Sequence, residues 1–219
     1  MASSQIISLK IEAARHRSEA LRREVKRLKD REFGSGGSVS LISFVEMATQ
    51  ALLSYLKNEE EFPDKELLTE EELEDRVHRV SKLIPFLHDL LAFIDGSEIG
   101  CAPVPLVSQL RRLAAHVVPK SEVIVTTRPE LNYSIMEVAS WIRGVFAAEP
   151  FEQSCAVLPS FLFVITLPQV EAGDVLLHCI LSHELGHGLY QRYGLPAKIL
   201  PRITINQDLI KKLASSIAS

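Results

Sequence analysis

The sequence predicts an α+β fold that is mostly helical. Apolar residues recur at spacings of three and four through most of the first half, which is typical of amphipathic helices. Two short β-branched or aromatic runs then predict strands, and a helical pattern returns after the second run. We expect a basic N-terminal helix at 1–33, a Gly/Ser linker at 34–38, a helical region at 39–118 and a site-bearing region at 119–219.

The composition argues against several classes of protein. The 219 residues are 47% hydrophobic and can bury a core, while the net charge of -4 gives no general attraction for nucleic acid. Three cysteines without a CxxC pair are too few for a disulfide scaffold, which favours a cytoplasmic location. The most apolar run, "FLFVITLP", is far shorter than the roughly 20 residues that span a bilayer, so no membrane association is expected.

The N-terminal helix has the a/d spacing of a coiled coil. The residues on this seam alternate at four and three: Ile7, Ile11, Ala14, Ser18, Leu21, Val25, Leu28 and Glu32. Ser18 and Glu32 interrupt the seam, and arginines and lysines crowd the other faces. Three alternatives stay open: a helix that packs on its own domain, a homo-oligomer, or a helix that binds an acidic partner. The stretch "GSGGS" at 34–38 has the composition of a flexible linker and predicts a domain boundary.

Three helices are expected in the helical region. The first covers 39–56 and has one apolar stripe. The second begins after Thr69, an N-cap residue whose capping box is completed by Glu72, and it ends at Gly96. Pro85 should kink this helix. The third helix covers 104–118.

The site-bearing region alternates strands and helices. "EVIVTT" predicts a strand, "SIMEVASWIRGVFAA" a helix, and "SFLFVITLP" a second, buried strand. The last segment begins with Asp174 as N-cap or first-turn acid, and Gly194 and Pro196 provide the stop. It therefore predicts a helix of about twenty residues, roughly 30 Å long.

This last helix carries the motif "SHELGH", in which His183 and His187 stand four residues apart. Residues at this spacing lie on one face of a helix, about 6 Å apart along its axis, so both imidazoles can reach one zinc ion. Glu184 lies about 100° round the helix from His183, where it can act as a general base without serving as a ligand. The residues around the motif are uncharged, as expected if the helix is buried on most sides and only its histidine face opens to a cleft. Burying the two histidines and the glutamate together without a metal would be costly. The pattern therefore predicts a metal site.

The motif "HELGH", on a helix that follows a hydrophobic strand, resembles that of the zincin metallopeptidases, and its exact residues resemble those of the gluzincin branch. The resemblance covers 161–194. It implies a small zincin-like half in which His183 and His187 bind zinc and Glu184 activates the water that hydrolyses a peptide or protein substrate. The following residues, "GLYQRY", contain no third histidine, which argues against the metzincin branch. No clear ExxxD-type helix follows either.

The third metal ligand is open, because a catalytic zinc normally has three protein ligands and a water. Asp208, in the predicted helix "INQDLIKKLASSIA", is one candidate. The other is a residue beyond Ser219, in which case the region 119–219 is incomplete at its C-terminus. Glu171 is expected to lie in a turn. The rival to a metallopeptidase is a helical interaction or scaffold protein whose metal site is structural or degenerate.

Overall fold

The computed structural model describes residues 2–57, 69–101, 104–130, 133–148 and 150–173, together with His183 and Gly186. Its regular elements are α1 (Ala2–Lys29), α2 (Gly36–Lys57), α3 (Glu70–Asp95), α4 (Val104–Val117), β1 (Ser121–Arg128), β2 (Ser134–Glu137), α5 (Val138–Val145) and β3 (Phe161–Pro168), with 3-10 helices at Glu152–Val157 and Gln169–Glu171. The predicted α+β, mostly helical class is confirmed.

The three strands form one mixed sheet in the order β1, β3, β2. β3 pairs in parallel with β1 from Ser121↔Phe161 to Arg128↔Pro168, and antiparallel with β2 from Ser134↔Thr166 to Glu137↔Phe163. A strand that is covered on both faces reads as a continuous apolar run, which is the pattern of "FLFVITLP".

The two faces of the sheet pack in two apolar clusters, because successive residues of a strand point to opposite faces. Ile124, Leu162 and Val164 face a cluster that includes residues of α1, α2, α3 and α5. Phe163 faces the other cluster, where Leu110 and other residues of α4 cover the sheet. Each of the two clusters therefore contains residues of the predicted helical region together with residues of the sheet.

The apolar seam of α1 packs against its own chain. Its buried residues are Ile7, Ala14, Ser18, Leu21, Val25 and Leu28. Ser18 is the polar residue of this buried set, and its hydroxyl donates a hydrogen bond to the carbonyl of Ala14 at 3.0 Å. Of the three alternatives left open for this helix, the structure has the one in which it packs on its own domain, against α2 and α3.

The flexible linker predicted at 34–38 is wrong, because α2 begins inside it. Ser35 and Ser38 are buried, and the backbone N–H of Ser38 donates to the hydroxyl of Ser35 at 3.3 Å. A Cβ placed on Gly37 would lie 2.8 Å from Leu162 Cδ1. The glycine composition therefore reflects close approach of the helix start to the sheet.

The predicted limits of α3 are confirmed. Thr69 is the N-cap, its hydroxyl accepts from the N–H of Glu72 at 3.3 Å, and the Glu72 carboxylate accepts from the N–H of Thr69 at 2.8 Å. The helix ends before Gly96 and continues through Pro85.

One predicted helix begins too early. Residues 134–137 form β2, and α5 starts at Val138. Glu137 marks the change, since its carboxylate caps α5 by accepting from the N–H groups of Ala139 at 3.0 Å and Ser140 at 3.1 Å.

By length and composition alone, the segment Gly36–Leu56 of α2 could cross a membrane, since its mean hydropathy is 1.4. Half of its most apolar stretch is buried inside the protein. Core helices of soluble proteins meet the same criterion. Here Leu41, Phe44, Val45 and Ala48 of this segment are buried against the rest of the chain.

Candidate metal centre

The motif segment follows the central strand of the sheet. β3 is hydrogen-bonded on both sides, and the backbone N–H of Leu162 also donates to the Glu137 carboxylate at 3.2 Å. Arg143 secures the loop before the strand, since its guanidinium donates to the carbonyls of Pro159 at 2.7 Å and Ser160 at 3.1 Å. The chain therefore enters the motif segment from a well-anchored strand.

His183 and Gly186 are the two described residues of the motif, and both are helical, as predicted. Both are also exposed. No described residue comes within 4 Å of a Cβ built on Gly186. Residues three apart lie on the same side of a helix, so His183 and Gly186 share one side.

The other predicted site residues lie outside the described part of the chain. These are Glu184, His187 and Asp208, together with the predicted cap Asp174. Among the described residues, no group of three or more histidines, cysteines, aspartates or glutamates is placed to hold a metal ion. The roles of Glu184, His187 and Asp208 therefore stay predictions.

A contact between Tyr133 and Glu171 was not predicted from the sequence. Glu171 lies in the 3-10 helix Gln169–Glu171, and its carboxylate accepts a hydrogen bond from the Tyr133 hydroxyl. The contact ties the residue before β2 to the segment that follows β3. The two residues are 38 positions apart, so no local pattern could indicate it.

The buried cysteine of the described region is a poor candidate nucleophile. Burial raises the pKa of the Cys155 thiol, and nearby Glu152 raises it further, while Arg143 opposes the shift. The thiol is therefore protonated at neutral pH, and a protonated thiol is a weak nucleophile.

No protein-family model, no curated protein and no solved structure matches this chain.

Proposed function

We propose that the chain is a zinc-dependent peptidase in which His183 and His187 bind the metal and Glu184 is the general base. The observation that carries the proposal is the position of His183, which is helical, exposed and preceded by the central, buried strand β3.

The donor types fit zinc. Imidazole nitrogen and carboxylate oxygen are both common zinc ligands, and a helix with two histidines four apart presents both rings on one side. Asp208 is the proposed third ligand. When bound, zinc would polarise the peptide carbonyl and lower the pKa of water at the site.

The residues of the chain perform the proton transfers. Glu184 takes a proton from the attacking water and delivers it to the amine that leaves when the peptide bond breaks. A carboxylate suits both steps because it accepts the proton in the first and returns it in the second. His183 and Gly186 are both exposed, which is what access of a substrate to this site requires.

Metal analysis of purified variants tests the metal site. The wild type should contain about one zinc ion per chain, and His183→Ala should lose it. His116→Ala is the matched control, because His116 is exposed in the last turn of α4, outside the motif, and should keep the zinc. Equal zinc in the wild type and His183→Ala would refute the site. If Asp208 is the third ligand, Asp208→Ala should weaken zinc binding by orders of magnitude.

Turnover tests the enzyme against the scaffold alternative. Glu184→Gln should keep zinc and lose at least about 100-fold in the hydrolysis of a generic fluorogenic peptide, because it removes the base and no ligand. Hydrolysis by this variant at the wild-type rate would contradict the mechanism. A wild type that binds zinc and cleaves no peptide would favour a structural metal site in an interaction protein.

A further inference from the structure

A cavity of about 550 Å³ lies at the carboxyl end of the sheet. Phe93 of α3, Met136 of β2 and Val164 of β3 form apolar walls, and Arg128, Ser134 and Thr166 contribute polar groups. The carboxyl ends of parallel strands are a common place for ligands in proteins with open sheets. Here the parallel pair is β1 and β3, which end together at Arg128↔Pro168.

A row of hydroxyl side chains crosses the sheet at this cavity. Thr166 of β3 is paired with Thr126 of β1 on one side and with Ser134 of β2 on the other. The preceding row on the same face is apolar, with Val164 at its centre paired with Met136. This face of the sheet therefore changes from apolar side chains to hydroxyl side chains between one row and the next.

The hydroxyl of Thr166 is available to a ligand. Thr166 is only 9% exposed and lines the cavity. The neighbouring Thr126 is fully buried, and its hydroxyl has no partner in the described part of the chain. Buried hydroxyl groups are normally hydrogen-bonded, so this row combines an unpaired hydroxyl at Thr126 with a neighbouring hydroxyl side chain, Thr166, that lines the cavity and can meet a polar ligand atom.

Arg128 supplies a cation that is oriented but not neutralised. Its guanidinium lies over the ring of Phe93, 4.7 Å from the ring centroid. In the described regions no carboxylate forms an ion pair with it, although Glu130 also lines the cavity. A guanidinium held by an aromatic ring keeps its donors for a further partner, and carboxylate matches its geometry.

We propose that this cavity binds a carboxylate carried on an apolar group. Arg128 and Thr166 donate to the carboxylate, while Phe93, Met136 and Val164 contact the apolar part. The C-terminal residue of a peptide and a free apolar amino acid share this chemistry. They differ in the ammonium group of the free amino acid, for which Glu130 is an available partner. The proposal does not depend on the proposed metal centre.

Titration of the full chain by ligand-observed NMR tests the proposal with three probes: N-acetyl-leucine, N-acetyl-leucinamide and leucine. N-acetyl-leucine should bind at least about tenfold more tightly than its amide, since hydrogen bonds to a charged group are lost in the amide. Arg128→Gln should weaken binding of the acid about tenfold or more, and Thr166→Val about two- to tenfold. Arg17→Gln is the matched control, because Arg17 is exposed on α1 and should leave the affinity unchanged.

Each outcome has a defined consequence. Tighter binding of leucine than of N-acetyl-leucine assigns the site to free amino acids, and the reverse order assigns it to peptide C-termini. Failure of all three probes to bind, or equal affinity for acid and amide, overturns the proposal. Unchanged affinity in both cavity variants also overturns it. If a thermal unfolding experiment shows that Arg128→Gln is not folded, the affinity of the nearly isosteric Thr166→Val variant decides whether the proposal stands.

Discussion

Replacement of Leu21 by Ala tests whether α1 belongs to the core of its own chain. Leu21 is completely buried in the cluster that α1 shares with α2 and α3, whereas Leu9 on the same helix is 61% exposed. Leu21→Ala and Leu9→Ala remove the same atoms, and leucine and alanine have similar helix propensities. The difference between the two variants therefore measures the tertiary contacts of α1.

The magnitudes follow from burial. Leucine-to-alanine changes in well-packed cores cost roughly 2.7–5 kcal/mol, so we expect the free energy of unfolding to fall by about 3 kcal/mol in Leu21→Ala. Leu9→Ala should change it by less than about 0.5 kcal/mol. In a domain of this size 1 kcal/mol shifts the midpoint of thermal unfolding by roughly 2–4 °C, so Leu21→Ala should unfold about 6–12 °C below the wild type.

Denaturant unfolding followed by circular dichroism measures both variants, at two protein concentrations. Packing within one chain gives a loss of stability that does not depend on concentration. A Leu21→Ala variant within about 0.5 kcal/mol of the wild type would refute the packing of α1 in the core. A loss that grows on dilution would show instead that the seam is buried between two copies.

Two further predictions concern the ends of α3. Gly96→Ala should lower the free energy of unfolding by about 1–3 kcal/mol in a denaturant titration, because a Cβ there would lie 2.3 Å from Thr126 Oγ1 and 2.7 Å from a backbone oxygen. Its control Gly144→Ala, in α5 with no described residue within 4 Å of the added Cβ, should be neutral or stabilising, and equal losses in both variants would contradict the steric argument. At the other end, hydrogen bonds from Thr69 hold the pKa of Glu72 below its ordinary value of 4.5, so the carboxylate stabilises the fold above about pH 4.5 and loses this effect as the pH falls through the lowered pKa. Thermal unfolding should therefore give a higher midpoint temperature for the wild type than for Glu72→Gln at pH 7, and this difference should disappear by pH 3. A difference in midpoint temperature that does not depend on pH would contradict this role.

The features predicted correctly from the sequence are those that depend on residues close together in the chain. The capping box of Thr69 and Glu72 spans three residues, and the continuous apolar run of β3 is contained in eight. β2 was missed because a four-residue strand adjoins a helix without a break in the apolar pattern, and only pairing with β3 makes those residues extended. Tertiary pairing can override local preference in this way.

The open alternatives for α1 and the wrong linker prediction at 34–38 have a common physical cause. An apolar seam at spacings of four and three is buried equally well by a second copy or by helices of the same chain, so periodicity alone cannot choose between them. A glycine such as Gly37 likewise serves either a flexible linker or a close contact, and the side chain of Leu162, which requires the contact, lies far along the sequence.

The same distinction separates the two proposed sites. The proposed metal site rests on residues within one turn of a helix, because His183 and His187 need only the helical repeat to share a face, so the sequence alone can suggest it. The cavity depends on the register of three strands, which brings Thr126, Thr166 and Ser134 into one row although they come from separate parts of the chain. A shift of one residue in either pairing would turn a neighbouring hydroxyl to the other face of the sheet and break the row. The row of polar groups beside Arg128 therefore cannot be recognised from the sequence and becomes apparent only in the folded chain.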